Sequence, residues 1–526
     1  MKKLILLVFL TLSISIQSYA QDFIGIIPQP NNSSYTNKPA FDFSKTTYIN
    51  SNTATKEIAK ILQVAFKNDV NLDLKIKNKR RKQTIYFQLN DALATEAYEL
   101  IIDTKTIVIS AAGKTGWFYG VQSLRQLVQK SLQIPTMTIK DSPRFSWRAY
   151  MLDESRYFHG EEFVKLILDQ MALLKMNVFH WHLVDDGGWR IEIKKYPLLT
   201  TIGSKRRDSE IETWGSGKFS GVPHEGFYTQ NQIKDIVAYA TERNITIVPE
   251  FEMPGHSSAA IASYPWLGTL GNDMEVPVKF GRLFDNYDVT KPEVIAFIHD
   301  VLEEVFELFP SKVIHIGGDE VGYKVWEESK SVQKYMRENN IETPADLQIQ
   351  FTNKISQFIE KNGRRMMGWN EIMGTNIHTG FSEKKDDKEA NTPLAKNVVV
   401  HFWKGNIDLL TKAAKEGYGI VNSLHSNTYL DYSHKSISLE KAYNFNPIPK
   451  DLATEYHKNV YGLGCQMWSE WTPTNKDVER QTFPRIAAFA EVGWTETSRK
   501  DFNTFSVSLE QLQQHWAKFD INYYTK

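Results

Sequence analysis

The chain has 526 residues, too many for one small core, so two or more domains are expected. Hydrophobic residues make up 41% and charged residues 24%, a globular mix rather than a disordered or fibrous one. With 62 basic and 62 acidic residues the formal charge is +0, so nothing asks for nucleic acid or an anionic membrane as partner.

Residues 1–20, MKKLILLVFLTLSISIQSYA, set Lys2 and Lys3 before an apolar stretch from Leu4 to about Ile16, with small residues at Ser18 and Ala20. This is the layout of a secretory signal peptide cleaved after Ala20, with a periplasmic or extracellular destination. The apolar run is shorter than the ~20 residues a membrane span needs, and no later segment is long and apolar enough to cross a bilayer. A single cysteine, Cys465, excludes an intramolecular disulfide; its setting, GLGCQMW, reads as a buried strand and the thiol as an inert core residue.

Residues 21–142 read as an α+β domain without chemistry of its own. QTIYFQL, AYELIID and TIVISAA are strands by their β-branched and aromatic content, and TGWFYGVQSLRQLVQK is an amphipathic helix. IPTMTIKDSPRF brings two prolines and a turn, the expected domain boundary. From 143 to 526 strands alternate with helices. Strands are expected at 148–153, 177–184, 245–251, 312–318, 364–369, 397–403, 418–424 and 460–468. EEFVKLILDQMALLKM repeats apolar residues at helical spacing, and TQNQIKDIVAYATERN and TPADLQIQFTNKISQFIEKNG open with threonine in N-cap style. Eight strands separated by helices predict a (β/α)8 TIM barrel following the smaller α+β domain. The alternative is a doubly wound open sheet, but no glycine-rich nucleotide turn follows the first strand. The charged stretch 382–397 reads as a solvated loop between the fifth and sixth strands.

Barrel chemistry is placed at the C-terminal ends of the strands. There the second strand offers His180, His182, Asp185 and Asp186, the third Glu250, Glu252 and His256, and the fourth Asp319 and Glu320. Trp369 and Trp403 end the fifth and sixth; Tyr429 and Asp431 follow the seventh; Trp468 and Glu470 close the eighth. Each alone is ordinary, but seven of eight strand ends carrying such groups points to a site. Two chemistries fit. His180 and His182 have metal-ligand spacing, with Asp185 and His401 as further candidates for a metal-dependent hydrolase. Tryptophan walls with carboxylates suit acid/base hydrolysis of a glycoside. Neighbouring Asp319 and Glu320 could hardly flank a scissile bond, so one of them must do something other than attack the sugar.

HWHLVDD, PEFEMPGH, HIGGDEV and MWSEW, in this order and spacing, resemble the β-N-acetylhexosaminidases of glycoside hydrolase family 20, with PRFSWRAYMLDESRYF and GWFYGVQSLRQL similar to the family's opening barrel motif and N-terminal domain. The resemblance spans about residues 24 to 500. It implies substrate-assisted hydrolysis, the sugar's own 2-acetamido oxygen acting as nucleophile through an oxazolinium intermediate with net retention. The implied substrates are β-linked glycans ending in N-acetylglucosamine, with N-acetylgalactosamine as the second candidate, cleaved in exo fashion without a cofactor. By motif, Glu320 is the general acid and then base, Asp319 orients the acetamido N–H, and Tyr429 holds its oxygen. Trp369, Trp403 and Trp468 would wall the pocket, and Arg148, Asp431 and Glu470 would bind hydroxyls. His256 and Asp185 would form a relay behind Glu320. Ala149, Tyr157 and Gly187 depart from the family's usual residues without touching the acid pair. A non-catalytic carbohydrate-binding relative is the remaining alternative, set against an intact acid pair.

Overall fold

The structure, a computed structural model, describes residues 24–44, 46–79, 82–281, 285–375 and 389–525. The leader read at 1–20 and the part of the 382–397 loop up to 388 lie outside them. The rest of that loop is tied down: the Thr392 N–H and hydroxyl each donate to Asp346 at 2.8 Å, and Leu394 is buried. No helix among the described residues is long and apolar enough to cross a membrane.

The chain divides into two compact units that do not follow one cut in the sequence. The first holds the chain up to Ser146 together with Gln170–Met176 and the stretch from Ala490 onward. Its core is a mixed seven-stranded sheet whose neighbours run Asn32–Tyr35, Met137–Asp141, Tyr98–Ile102, Thr106–Ala111, Thr84–Leu89, Tyr48–Asn50 and Lys75–Lys77. Helices Lys56–Val70 and Lys114–Lys130 accompany it, and Phe502–Lys518 buries Phe505, Leu509, Leu512 and Trp516 in the same unit. The three strands and the helix expected from sequence are there. Met137–Asp141, read as boundary turn, is a sheet strand pairing with both Asn32–Tyr35 and Tyr98–Ile102.

The second unit is a closed barrel. Its strands are β1 (Trp147–Asp153), β2 (Val178–Asp185), β3 (Thr246–Phe251), β4 (Val313–His315), β5 (Arg365–Trp369), β6 (Val398–Phe402), β7 (Gly419–Asn422) and β8 (Val460–Met467). Each pairs in parallel with the next, and β8 closes on β1 with Tyr150 opposite Cys465. Helices such as Glu161–Leu173, Gln230–Glu242, Pro292–Leu308 and Pro344–Lys361 cross between strands. The expected caps are made: Thr229 accepts from the Gln232 N–H in a reciprocal box, and Thr343 accepts from the Asp346 N–H. Cys465 is fully buried, with burial holding its thiol well above the ordinary range.

Strand alternation then layers the lumen. Ala149, Val178 and Val248, joined by Trp147 and Val313, and Met367, Val399 and Val421 make an apolar floor at the N-terminal ends. Two residues further along the same faces come His180, Glu250, His315, Trp369 and His401, all buried. One more step reaches His182 and Glu252, and the loops beyond carry the acids.

Candidate active site

The fourth strand is shorter than the sequence pattern suggested, because the backbone leaves extended geometry after Ile316. Gly317 and Gly318 adopt φ of 64° and 88°, and Glu320 itself stands at 50°. A Cβ on Gly317 would fall 1.7 Å from the Glu252 carboxyl. Glycine is therefore required there on both conformational and steric grounds. The turn brings Asp319 and Glu320, neighbours that a strand would send to opposite faces, into one cavity. His256, at φ 49°, is another non-glycine residue of this site in the left-handed region.

The cavity has a volume of about 560 Å³, in the range of small-ligand sites. Glu320, Asp319, His256, Asp185, Trp403, Tyr429, Asp431, Trp468 and Glu470 all line it, so most of the residues singled out in the sequence converge on one space. Trp369 is almost wholly buried beneath them. Its indole N–H donates to Glu250 at 2.8 Å, its ring stacks on His401 at 4.1 Å, and Trp403 and Trp468 lie 6.4 and 5.9 Å away. It supports the aromatic walls from below. The Trp403 N–H donates to Glu371 at 2.9 Å, which fixes that ring.

Arg148 is not in the cavity, contrary to the sequence expectation. It begins β1, at the barrel end remote from the strand C-termini, and its neighbour Ala149 faces the lumen, so alternation turns Arg148 outward. The arginine of the site is Arg156, three residues beyond the end of β1. Its guanidinium bonds Asp185 at 2.8 Å and Asp153 at 3.2 Å and lies 5.0 Å over the Trp468 ring. Those two carboxylates and Glu470 hold it firmly charged despite complete burial.

Asp185 and His256 form the expected line to Glu320. His256 Nδ1 is 3.3 Å from Asp185 and 3.2 Å from Asp186, and Nε2 is 3.5 Å from Glu320. Burial opposes a charged imidazole, but Asp185, Asp186 and Glu320 together keep His256 well above its ordinary range. Asp186 also accepts from the Ser258 N–H at 2.9 Å. Burial pushes Asp319 up to about 8 against the pull of His256, with Glu371 and Glu320 adding to the rise. Burial likewise raises Asp431 and Glu470, the latter against Arg156. Glu252, whose role the sequence left open, has its carboxyl raised well above the ordinary range by burial and by Asp319 and Glu250 nearby.

Three buried polar atoms of cavity-lining residues lack a hydrogen-bond partner in the protein: Asp319 Oδ1, Asp431 Oδ1 and Trp468 Nε1. Unpaired buried groups are costly, and two acceptors and a donor in one lining describe a ligand with both kinds of polar group.

The histidines offered as metal ligands are engaged with protein. His180 and His182 approach the same Glu250 oxygen at 2.9 and 2.6 Å, and His315 approaches the other at 2.9 Å. His401 uses one ring nitrogen on His315 and the other on Ser423, at 3.1 and 2.8 Å. Against its own burial, Glu250 is held well below the ordinary carboxylate range by His315, His182 and His180. Burial lowers His315 to about 4 and His401 well below its ordinary range, whereas Glu250 and Asp185 raise His182 to about 10 against its burial, so the layer beneath Trp369 is built on the His182–Glu250 ion pair.

Comparison with known proteins agrees with this geometry. The family model described as "Glycosyl hydrolase family 20, catalytic domain" matches residues 145–497, and "Glycosyl hydrolase family 20, domain 2" matches 24–142. A β-hexosaminidase of Porphyromonas gingivalis is 34% identical over 95% of this chain, and the chain spans 64% of that relative's length. A β-hexosaminidase of Vibrio furnissii is also 34% identical, over 78% of this chain and 67% of the relative. Among solved structures, an exo-β-N-acetylglucosaminidase of Vibrio harveyi in complex with N-acetylglucosamine superposes with a TM-score of 0.82 at 29% identity, covering 95% of this chain and 78% of that one. The β-N-acetylhexosaminidase of Bacteroides fragilis gives 0.79 at 27%, covering 95% and 96%. The chain belongs to glycosyl hydrolase family 20.

Proposed function

We propose that the protein is an exo-acting, retaining β-N-acetylhexosaminidase that releases terminal N-acetylglucosamine, and N-acetylgalactosamine second, from non-reducing ends. The observation that carries this reading is the acid pair itself. Asp319 and Glu320 are sequence neighbours turned into one aromatic cavity, too close in the chain to flank a glycosidic bond as acid and nucleophile. A substrate that brings its own nucleophile needs this division of labour.

In this reading Glu320 gives its proton to the leaving oxygen while the acetamido oxygen closes on the anomeric carbon. Asp319 Oδ1, without a protein partner, accepts the acetamido N–H, and its ionised form, which the raised carboxyl confines to the upper part of the neutral range in the free protein, offsets the positive charge that the ring closure creates. Glu320 then takes a proton from water as it opens the oxazolinium ring, which restores the acid and the original configuration. His256 orients Glu320 and is itself held by Asp185 and Asp186. Arg156 replaces Arg148 as the cationic group for sugar hydroxyls, beside Asp431 and Glu470. The leader pattern at 1–20 supports export by a cleavable signal peptide, and a secreted chain beginning at Gln21 is the corresponding expectation for N-terminal sequencing.

The test is turnover of an aryl β-N-acetylglucosaminide beside the matching aryl β-glucoside. The wild type should strongly prefer the first. Glu320→Gln should lower its hydrolysis by about 10²–10⁴-fold when the leaving group needs a proton. Equal rates on the two glycosides, or full activity of Glu320→Gln, would overturn the proposal.

A further inference from the structure

Trp214 lies in the loop between β2 and β3, lines the catalytic cavity, and is 56% exposed. Its position is fixed from two sides. Its ring meets Trp471 edge-on, with centroids 5.5 Å apart at 80°, and Trp471 meets Phe280 at 5.7 Å and 84°. Phe280 in turn packs on Tyr157, and the Arg206 guanidinium lies over both rings at 4.8 and 5.2 Å. On its other side Trp214 lies against Gly281, where an added Cβ would come within 3.3 Å of the indole. A large aromatic side chain held in place yet left more than half in water gains little from folding at that position.

Resting on the exo-glycosidase reading above, we infer that Trp214 is the stacking platform for the leaving-group sugar. The buried end of the cavity carries Tyr429 and Asp319, which take the terminal residue in that reading. In a pocket that holds a terminal sugar at its closed end, the rest of the glycan must leave through the mouth. An exposed aromatic face on that mouth meets the next ring. The apolar C–H face of a pyranose is the surface such a ring covers, so the ligand is a second sugar of an oligosaccharide. Phe219 and Val222 on the same loop are also exposed but do not line the cavity, which separates Trp214 from a general protein-binding patch.

The test compares Trp214→Ala and Trp214→Phe with the wild type on three readouts. These are kcat/KM for the β1-4 disaccharide of N-acetylglucosamine, inhibition by free N-acetylglucosamine, and mass in solution by light scattering. For Trp214→Ala, disaccharide kcat/KM should fall by about tenfold, the equivalent of one aromatic contact of roughly 1.4 kcal/mol. The monosaccharide inhibition constant should stay within about twofold of wild type, since that sugar fills only the closed end. Trp214→Phe should recover most of the loss. Unchanged disaccharide kinetics, an equal loss in both sugar readouts, or a change in mass with unaltered kinetics would overturn the platform, the last assigning Trp214 to a protein contact. A wild type that neither cleaves the disaccharide nor binds the monosaccharide would instead defeat the underlying activity.

Discussion

Replacing Asp319 by asparagine should stabilise the fold while impairing the chemistry, and the effect should grow with pH. Asp319 is buried, and burial raises its carboxyl from the ordinary 3.8 to about 8. In the unfolded chain the proton leaves near 3.8, whereas the folded protein keeps it to about 8. Between those values the unfolded state binds fewer protons, so Asp319 makes the native state less stable as pH rises. Asparagine has nearly the same shape and nothing to ionise. Relative to wild type, Asp319→Asn should therefore be near neutral at pH 4, more stable by roughly 3 kcal/mol at pH 6, and by about 5–6 kcal/mol above pH 8. Urea denaturation of both proteins at pH 5, 6.5 and 8 measures this directly, and the same samples should show lost preference for 2-acetamido substrates. Parallel stability profiles would refute the reasoning. A variant that becomes relatively less stable at high pH would show that the His256 cation outweighs burial and that Asp319 is a stabilised anion.

Three further substitutions test the assignments around the acid pair. Arg156→Lys keeps the charge between Asp153 and Asp185 but loses the planar fork, so kcat/KM should fall by about 10–100-fold with the fold retained. Arg148→Lys should leave KM within about twofold; the larger loss at Arg148 would restore the motif-based assignment. His256→Gln should destabilise by about 3–5 kcal/mol by leaving Asp186 without its cation and Asp185 with Arg156 and His182 only. Here the sign is opposite to Asp319: a histidine whose folded value is raised contributes fully below about pH 6.5 and loses that contribution only as pH climbs through the raised value. The destabilisation should thus persist at pH 7 and shrink in alkali, read from melting temperature against pH.

Much of this architecture is legible without coordinates. All eight barrel strands announce themselves because parallel strands covered on both faces are written as dense apolar runs. The residues that interrupt those runs near their C-terminal ends are the ones that line or underlie the cavity. Short elements are less visible. Lys75–Lys77 and Tyr48–Asn50 are too brief to show a period, and pairing with longer neighbours makes them strands. Trp214 was invisible as a site residue because its surroundings, WGSGKFSGV, carry only loop signals. Nothing in one-dimensional spacing says that this loop returns to Trp471 and Phe280. Glu252 was visible as a strand-end acid, but its function as the group that excludes a side chain at Gly317 exists only in three dimensions.

Arg148 and Arg156 sit at opposite ends of β1, and only one of those ends carries the chemistry. Motif likeness offered an arginine in the opening barrel segment, and β1 with the residues just beyond it contains two, Arg148 and Arg156. Direction and alternation are enough to choose between them. A residue at the start of a barrel strand lies at the end opposite the chemistry, and a residue adjacent to a lumen-facing Ala149 faces away from the lumen. Arg156 lies beyond the strand's C-terminal end, three residues after Asp153, where a cation can be held by that carboxylate and by Asp185 from β2. The same rule that identified the acids from their strand ends would have rejected Arg148. The resemblance identified the chemistry; barrel geometry decides which arginine serves it.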